Sequence, residues 1–151
     1  MFRVLSDPAI YEYENAPPES REWLLERFER LESRLSPDGQ EQWLNWVLRL
    51  DTSELIGYVQ ATIHRDGRAG IAYELESAHW KKGLAREATE AMIAELAGHY
   101  GVHTLSAVLK GANHRSRRLL ERLGFSPEDP ALHPTIALEP GEILMMRGTE
   151  T

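Results

Sequence analysis

The apolar positions change period several times along the chain. Leu24, Phe28, Leu31 and Leu35 recur at helical spacing with charged residues between them. Pro17 and Pro18 stand before that helix, where proline is tolerated. Ser36, Pro37, Asp38 and Gly39 end it with turn chemistry. A period of two follows. Segment 42–50 places Leu44, Trp46, Leu48 and Leu50 on one face, and 55–64 and 71–76 read as two further strands. Short connections at 51–53 and 64–70 predict an antiparallel meander. Helical spacing then returns with Leu84, Ala88, Ala91, Met92 and Leu96, and Gly98 and Gly101 mark its end. A strand over 104–109 leads to a helix capped by Asn113, which carries Leu119, Leu120 and Leu123 and is closed by Gly124. Two short strands are expected near 135–138 and 142–146.

The succession strand, helix, strand over 71–109 is a βαβ unit, so its two strands run parallel with a right-handed crossover. The fold class predicted is α/β (α+β), with a mixed, mostly antiparallel central sheet and flanking helices. A length of 151 residues suits one domain over 1–151. No apolar run reaches the roughly 18 residues of a membrane span, and residues 1–7 are too short and polar for a secretory signal. A net charge of −7 argues against a nucleic-acid binder, which needs a broad basic face, and leaves room for a cationic partner such as an amine. The absence of cysteine removes disulfides, a thiolate nucleophile and a Cys-based zinc site, and fits a reducing cytoplasm.

The chemistry concentrates in two segments. Glu74 to Ala88 reads as a strand end, a tight basic turn (Trp80, Lys81, Lys82, Gly83) and a helix start. A helix start exposes unpaired N–H groups with partial positive charge, and a glycine turn lets those amides converge on an anion. A phosphate-bearing cofactor is the implied ligand, although neither G-x-x-x-x-G-K-[ST] nor G-x-G-x-x-G is present. The second segment runs from Asn113 through Ser116 to Gly124 and Phe125. Taken singly, Asn113 reads as a helix cap, Ser116 as an ordinary first-turn residue and Arg117 as part of a charged face. His99 and His103 flank Gly101, which breaks the helix between them, so no metal site is expected. Trp23, Trp43, Trp46 and Trp80 read as core or pocket wall.

Together, W-x-K-G-x-A-x-E-A followed some thirty residues later by N-x-x-S-x-x-x-x-x-x-x-G-F resembles the GNAT acetyltransferase superfamily, and within it the RimJ/RimL-type branch. The likeness is strongest over 54–125. It implies acetyl-CoA as acyl-donor cosubstrate, with its pyrophosphate on the backbone amides of Lys82, Gly83, Leu84, Ala85 and Arg86. It further implies that the backbone at Leu75, Glu76 and Ser77 pairs with the pantetheine amides. Asn113 would bond the pantetheine, and Ser116 would lie by the sulfur. Beyond what the motif implies, Arg117 is expected to reach an outer phosphate. The implied reaction is direct attack of a primary amine, on a protein N-terminus or a small molecule, with Glu74 or Glu76 as base and Ser116 protonating the thiolate. A CoA-binding module without catalysis is the alternative. The sequence departs from the pattern in three places. Trp80 stands where the superfamily usually has Gln or Arg, Lys81 where the branch usually has Gly, and the N-terminal strand of the family is apparently missing. An uncovered sheet edge in its place would be compatible with a homodimer.

Overall fold

The computed structural model describes residues 1–11 and 17–149. Helix α1 (Phe2–Leu5) and a single 3-10 turn (Pro8–Tyr11) open the chain, and helix α2 (Arg21–Leu31) follows. The remaining elements are β1 (Glu41–Arg49), β2 (Leu55–His64), β3 (Arg68–Leu75), α3 (Leu84–His99), β4 (Thr104–Lys110), α4 (His114–Arg122), β5 (Ser126–Glu128) and β6 (Glu142–Gly148). Among the described residues they form one six-stranded sheet in the order β1-β2-β3-β4-β6-β5. Every pairing is antiparallel except β3 with β4, as the meander and the βαβ unit predict. The first strand of the described chain is β1, with α1 and α2 before it.

Two expectations need correction. The α2 helix stops at Leu31, short of Leu35. Arg34 turns into the left-handed region (φ 59) and Leu35 forms a β-bridge with Gln42, so that leucine belongs to the sheet margin. Pro17 and Pro18 precede the helix as expected; Ser20 is the N-cap, accepting from the Trp23 amide at 3.0 Å. Segment 135–138 is not a strand. The outermost strand is β5, centred on Pro127, which lacks the N–H a central strand needs and is accommodated at a sheet edge.

The inward residues follow the periods of the sequence. Thr89, Met92, Ile93 and Leu96 are buried along one stripe of α3. They pack with Leu120 and Leu123 of α4 and with alternate residues of the strands, Val59, Ala61 and Ile63, Ala69 and Ile71, Leu105, Ala107 and Leu109. Gly101 (φ 65) closes α3, and the Val102 amide donates back to the Leu96 carbonyl at 3.2 Å. A second cluster, Leu5, Ile10 and Leu24, is rimmed by Phe2, Tyr11, Trp23, Phe28, Tyr58 and Trp80.

Candidate active site

The parallel pairing of β3 with β4 is short. Registered pairs run only from Arg68–Thr104 to Gly70–Ser106. Beyond them β3 continues against β2 as far as Leu75, and β4 continues against β6 as far as Lys110. The middle of the sheet therefore splits into a cleft, with backbone of 71–75 along one wall. Gly57 belongs to this geometry. A side chain there would meet the Glu74 carbonyl at 2.1 Å, so only glycine lets β2 lie this close to the end of β3.

After β3 the chain makes a 3-10 turn (Ser77–His79), and Trp80 then folds back to donate its indole N–H to the Leu75 carbonyl at 2.8 Å. Lys81 and Gly83 both take left-handed conformations (φ 65 and 76), and α3 starts at Leu84 with Gly83 as its N-cap and no side-chain cap. The first-turn amides of a 16-residue helix thus face outward beside a nest-forming turn. Lys81 carries the positive φ that glycine adopts without strain. The turn survives that replacement, at about 1–2 kcal/mol of backbone strain. The space a Gly83 side chain would enter is open, with nothing within 4 Å.

Two contacts join the end of β3 to the first turn of α4. The Tyr73 hydroxyl lies 2.5 Å from Ser116 Oγ and 3.3 Å from the Ser116 carbonyl. The Arg115 guanidinium stacks over the Trp80 ring, 3.5 Å from its centroid. Asn113 caps α4 by accepting from the Ser116 amide at 3.2 Å, which occupies its side-chain oxygen and leaves its NH2 for a ligand. The structure thus brings Asn113 and Ser116 to the mouth of the cleft, beside the turn that carries Lys82, Gly83, Leu84, Ala85 and Arg86.

Other expected groups already have partners inside the chain. The Leu75 carbonyl is taken by Trp80, the Glu76 amide donates to Ile56 (2.8 Å), and the Ser77 amide and hydroxyl donate to Asp7 (2.8 and 2.6 Å). The backbone that lines the cleft is that of 71–75, a little upstream of the expected 75–77. The Glu76 carboxylate is paired with Arg3 at 2.5 Å and lies 3.8 Å from His79. Arg3 also bridges to Glu54 at 3.3 Å, so its guanidinium sits beside Glu54, Glu76 and His79, whose ligand atoms lie within 4.8 Å of one another, a metal-like grouping among the described residues. Arg117 pairs with Glu121 and Arg86 with Glu90, each at 3.1 Å along its own helix.

Glu74 lies on the opposite face of β3 from Tyr73, directly across from Tyr58. Burial pushes the Tyr58 phenol up to about 12, and the Glu74 charge adds to the effect. Burial and then the same carboxylate raise Tyr11 to about 12. Alongside, Met1, Leu5, Leu24, Phe28, Trp43 and Tyr58 help to line a cavity of about 380 Å³. The Ser77 hydroxyl, more than any other contact, holds the Asp7 carboxyl below the usual carboxylate range.

Sequence reasoning did not pick out Tyr73, Arg115 or Asp7 as partners. Tyr73 was legible in principle, since alternation with Ile71 and Leu75 turns it to the α4 face. The other two depend on contacts between distant segments.

Residues 1–126 match the family model described as the acetyltransferase (GNAT) domain. The chain belongs to the GNAT acetyltransferase family. It is 33% identical over 92 residues to the uncharacterized N-acetyltransferase YoaA of Bacillus subtilis (strain 168), covering 59% of this chain and 52% of that protein. The uncharacterized N-acetyltransferase p20 of Bacillus licheniformis is 29% identical over 125 residues, 82% of this chain and 70% of p20. The chain thus spans only about half the length of YoaA. Its fold is similar to that of spermidine N-acetyltransferase from Vibrio cholerae in complex with CoA and spermine (TM-score 0.76, 19% identity, 98% and 87% of the two chains). It is also similar to an aminoglycoside acetyltransferase in complex with coenzyme A and kanamycin (TM-score 0.74, 21% identity, 97% and 86%). A third similar structure is the ribosomal-protein-S5-alanine acetyltransferase of Vibrio fischeri (TM-score 0.74, 20% identity, 99% and 85%).

Proposed function

We propose that this chain transfers an acetyl group from acetyl-CoA to a primary amine, on a protein N-terminus or a small molecule, in the manner of the RimJ/RimL-type branch. The observation that carries the reading is the splayed β3–β4 pair opening beside an uncapped helix start and a left-handed turn. An extended, amide-bearing arm ending in a pyrophosphate suits that arrangement. Its peptide-like groups find backbone along 71–75, and its phosphates find the amides of Lys82 to Arg86. The Asn113 NH2 meets the pantetheine, and Ser116 stands by the sulfur. The named ligands of the two CoA-bound structures, spermine and kanamycin, are both amines, which supports an amine acceptor here.

In the reaction the amine loses a proton, attacks the thioester carbonyl and expels the thiolate. An α-amine near pKa ~8 needs less help from a base than a lysine-type amine near ~10. Glu74 or Glu76, at the end of β3, serves as the base. Backbone N–H groups along the cleft wall of β3, up to Leu75 and short of the engaged amides of Glu76 and Ser77, offer donors to the developing oxyanion. Ser116 returns a proton to sulfur.

The test is calorimetric titration with acetyl-CoA against ATP and NADH. Selective micromolar binding is expected. Replacing Gly83 by valine places a β-branched side chain at φ 76, in the space before the amides, and should weaken acetyl-CoA about tenfold, or roughly 1.4 kcal/mol. Equal affinity removes the amide-cradle assignment. The chain contains no cysteine, so a thiol reagent reports CoA release alone when an amine panel is screened. Binding without turnover on any amine would favour the non-catalytic CoA-binding module.

A further inference from the structure

Resting on the acetyltransferase reading, we propose that Tyr73 is a positioning and proton-supplying residue behind Ser116, so that the thiolate is protonated by a two-step relay from phenol to serine to sulfur. The phenol and Ser116 Oγ are 2.5 Å apart and both are partly buried. A phenol has one hydrogen; either hydroxyl can donate in the 2.5 Å contact, and the relay directs the phenol hydrogen to Oγ in place of the 3.3 Å approach to the Ser116 carbonyl. With that hydrogen directed to Oγ, serine's own hydrogen is turned to a third atom. Ser116 is itself held in place, since its amide is anchored on Asn113 in the first turn of α4.

Acid strengths give the pair its purpose. An alkyl thiol has a pKa of ~8.5 and a phenol of ~10, so proton transfer between them is nearly balanced. An aliphatic alcohol is a far weaker acid than either, and serine alone would protonate the thiolate at the expense of an alkoxide. In the relay the C–S bond breaks and its electron pair goes to sulfur. The Ser116 hydrogen passes to sulfur and the Tyr73 hydrogen to the Ser116 oxygen. The proton shed by the attacking ammonium restores the phenol through solvent. Serine ends the step neutral.

The measurement is the titration of the thiol of bound CoA, read from the carbon-13 shift of the methylene beside the sulfur. It needs no acceptor amine, and no protein thiol interferes. In the wild-type chain the bound thiol should titrate below the ~8.5 of a free alkyl thiol, because donors on sulfur favour the thiolate. Ser116→Ala should raise that value by about one pH unit, the effect of one lost hydrogen bond. Tyr73→Phe should raise it by a similar amount although the serine hydroxyl remains, and the double variant should match Ser116→Ala alone. A Tyr73→Phe protein that binds CoA with the wild-type thiol titration overturns the relay. Should Tyr73→Phe fail to fold, fluorotyrosine at position 73 keeps the hydroxyl and strengthens its acidity; the bound thiol should then titrate lower than in the wild type, and an unchanged value overturns the relay. Absence of CoA binding by the wild-type chain, seen in parallel calorimetry, overturns the acetyltransferase reading itself.

Discussion

The two faces of the sheet are built differently. On the α3–α4 side, seventeen buried residues form one continuous core among the described part of the chain. On the α1–α2 side the corresponding cluster has three, Leu5, Ile10 and Leu24, surrounded by half-exposed aromatics. The second side compensates with polar ties across long stretches of sequence, Asp7 to Ser77 and Arg3 to Glu76. The half proposed to face the cofactor thus stands on a large apolar core and backbone geometry. The half that carries Glu74, Tyr58 and the cavity stands on a small core and a few side chains. A binding site made of amides tolerates sequence change, whereas a pocket walled by single residues is reshaped by one substitution.

The largest expected difference comes from matched truncations. Leu96→Ala empties a fully buried position of the large core and should cost about 3 kcal/mol in urea unfolding. Leu24→Ala, in the small cluster, should cost about 2 kcal/mol and leave acetyl-CoA affinity within twofold. A loss of cofactor binding in Leu24→Ala would show that the two faces are not separable. Next comes alkaline pH, which should act on the smaller side. Unfolded tyrosine ionises near 10, while Tyr58 and Tyr11 hold their protons to about 12. The unfolded chain then binds fewer protons than the native one, and stability should fall as pH rises from 10 towards 12. The urea midpoint of Tyr58→Phe should fall less steeply over that range.

In acid the sign reverses. The folded Asp7 carboxyl titrates below its ordinary value, so its contribution is complete above that value and disappears as pH falls through the folded one. Asp7→Asn should lower the melting temperature at neutral pH and converge with wild type in acid. The smallest expected effect lies on the α3 side. Among the described residues the buried Thr89 hydroxyl has no hydrogen-bond partner, and Thr89→Val should gain about 1 kcal/mol.

The same contrast decides what the sequence made legible. The meander, the crossover, the α3 and α4 helices and the turn at Gly83 are written in local periods and caps, and they form where expected. Pairing of Tyr73 with Ser116, 43 residues apart, and of Arg3 with Glu76, 73 apart, has no local signature. The partners of Glu76 and Ser77, Ile56 and Asp7, were hidden for the same reason, since each comes from a distant segment. Strand β5 escaped notice because Pro127 argues against a strand wherever its place at the edge is unknown.

The seam between β3 and β4 has a mechanical consequence. Three registered pairs, at Arg68, Ala69 and Gly70, join the ribbon β1-β2-β3 to the ribbon β4-β6-β5, whereas β4 and β6 share seven. Under a load drawn across the sheet between β1 and β6, the seam carries the force on the fewest registered pairs and yields first. The two ribbons would part like the leaves of a book, each keeping its own strand pairing intact.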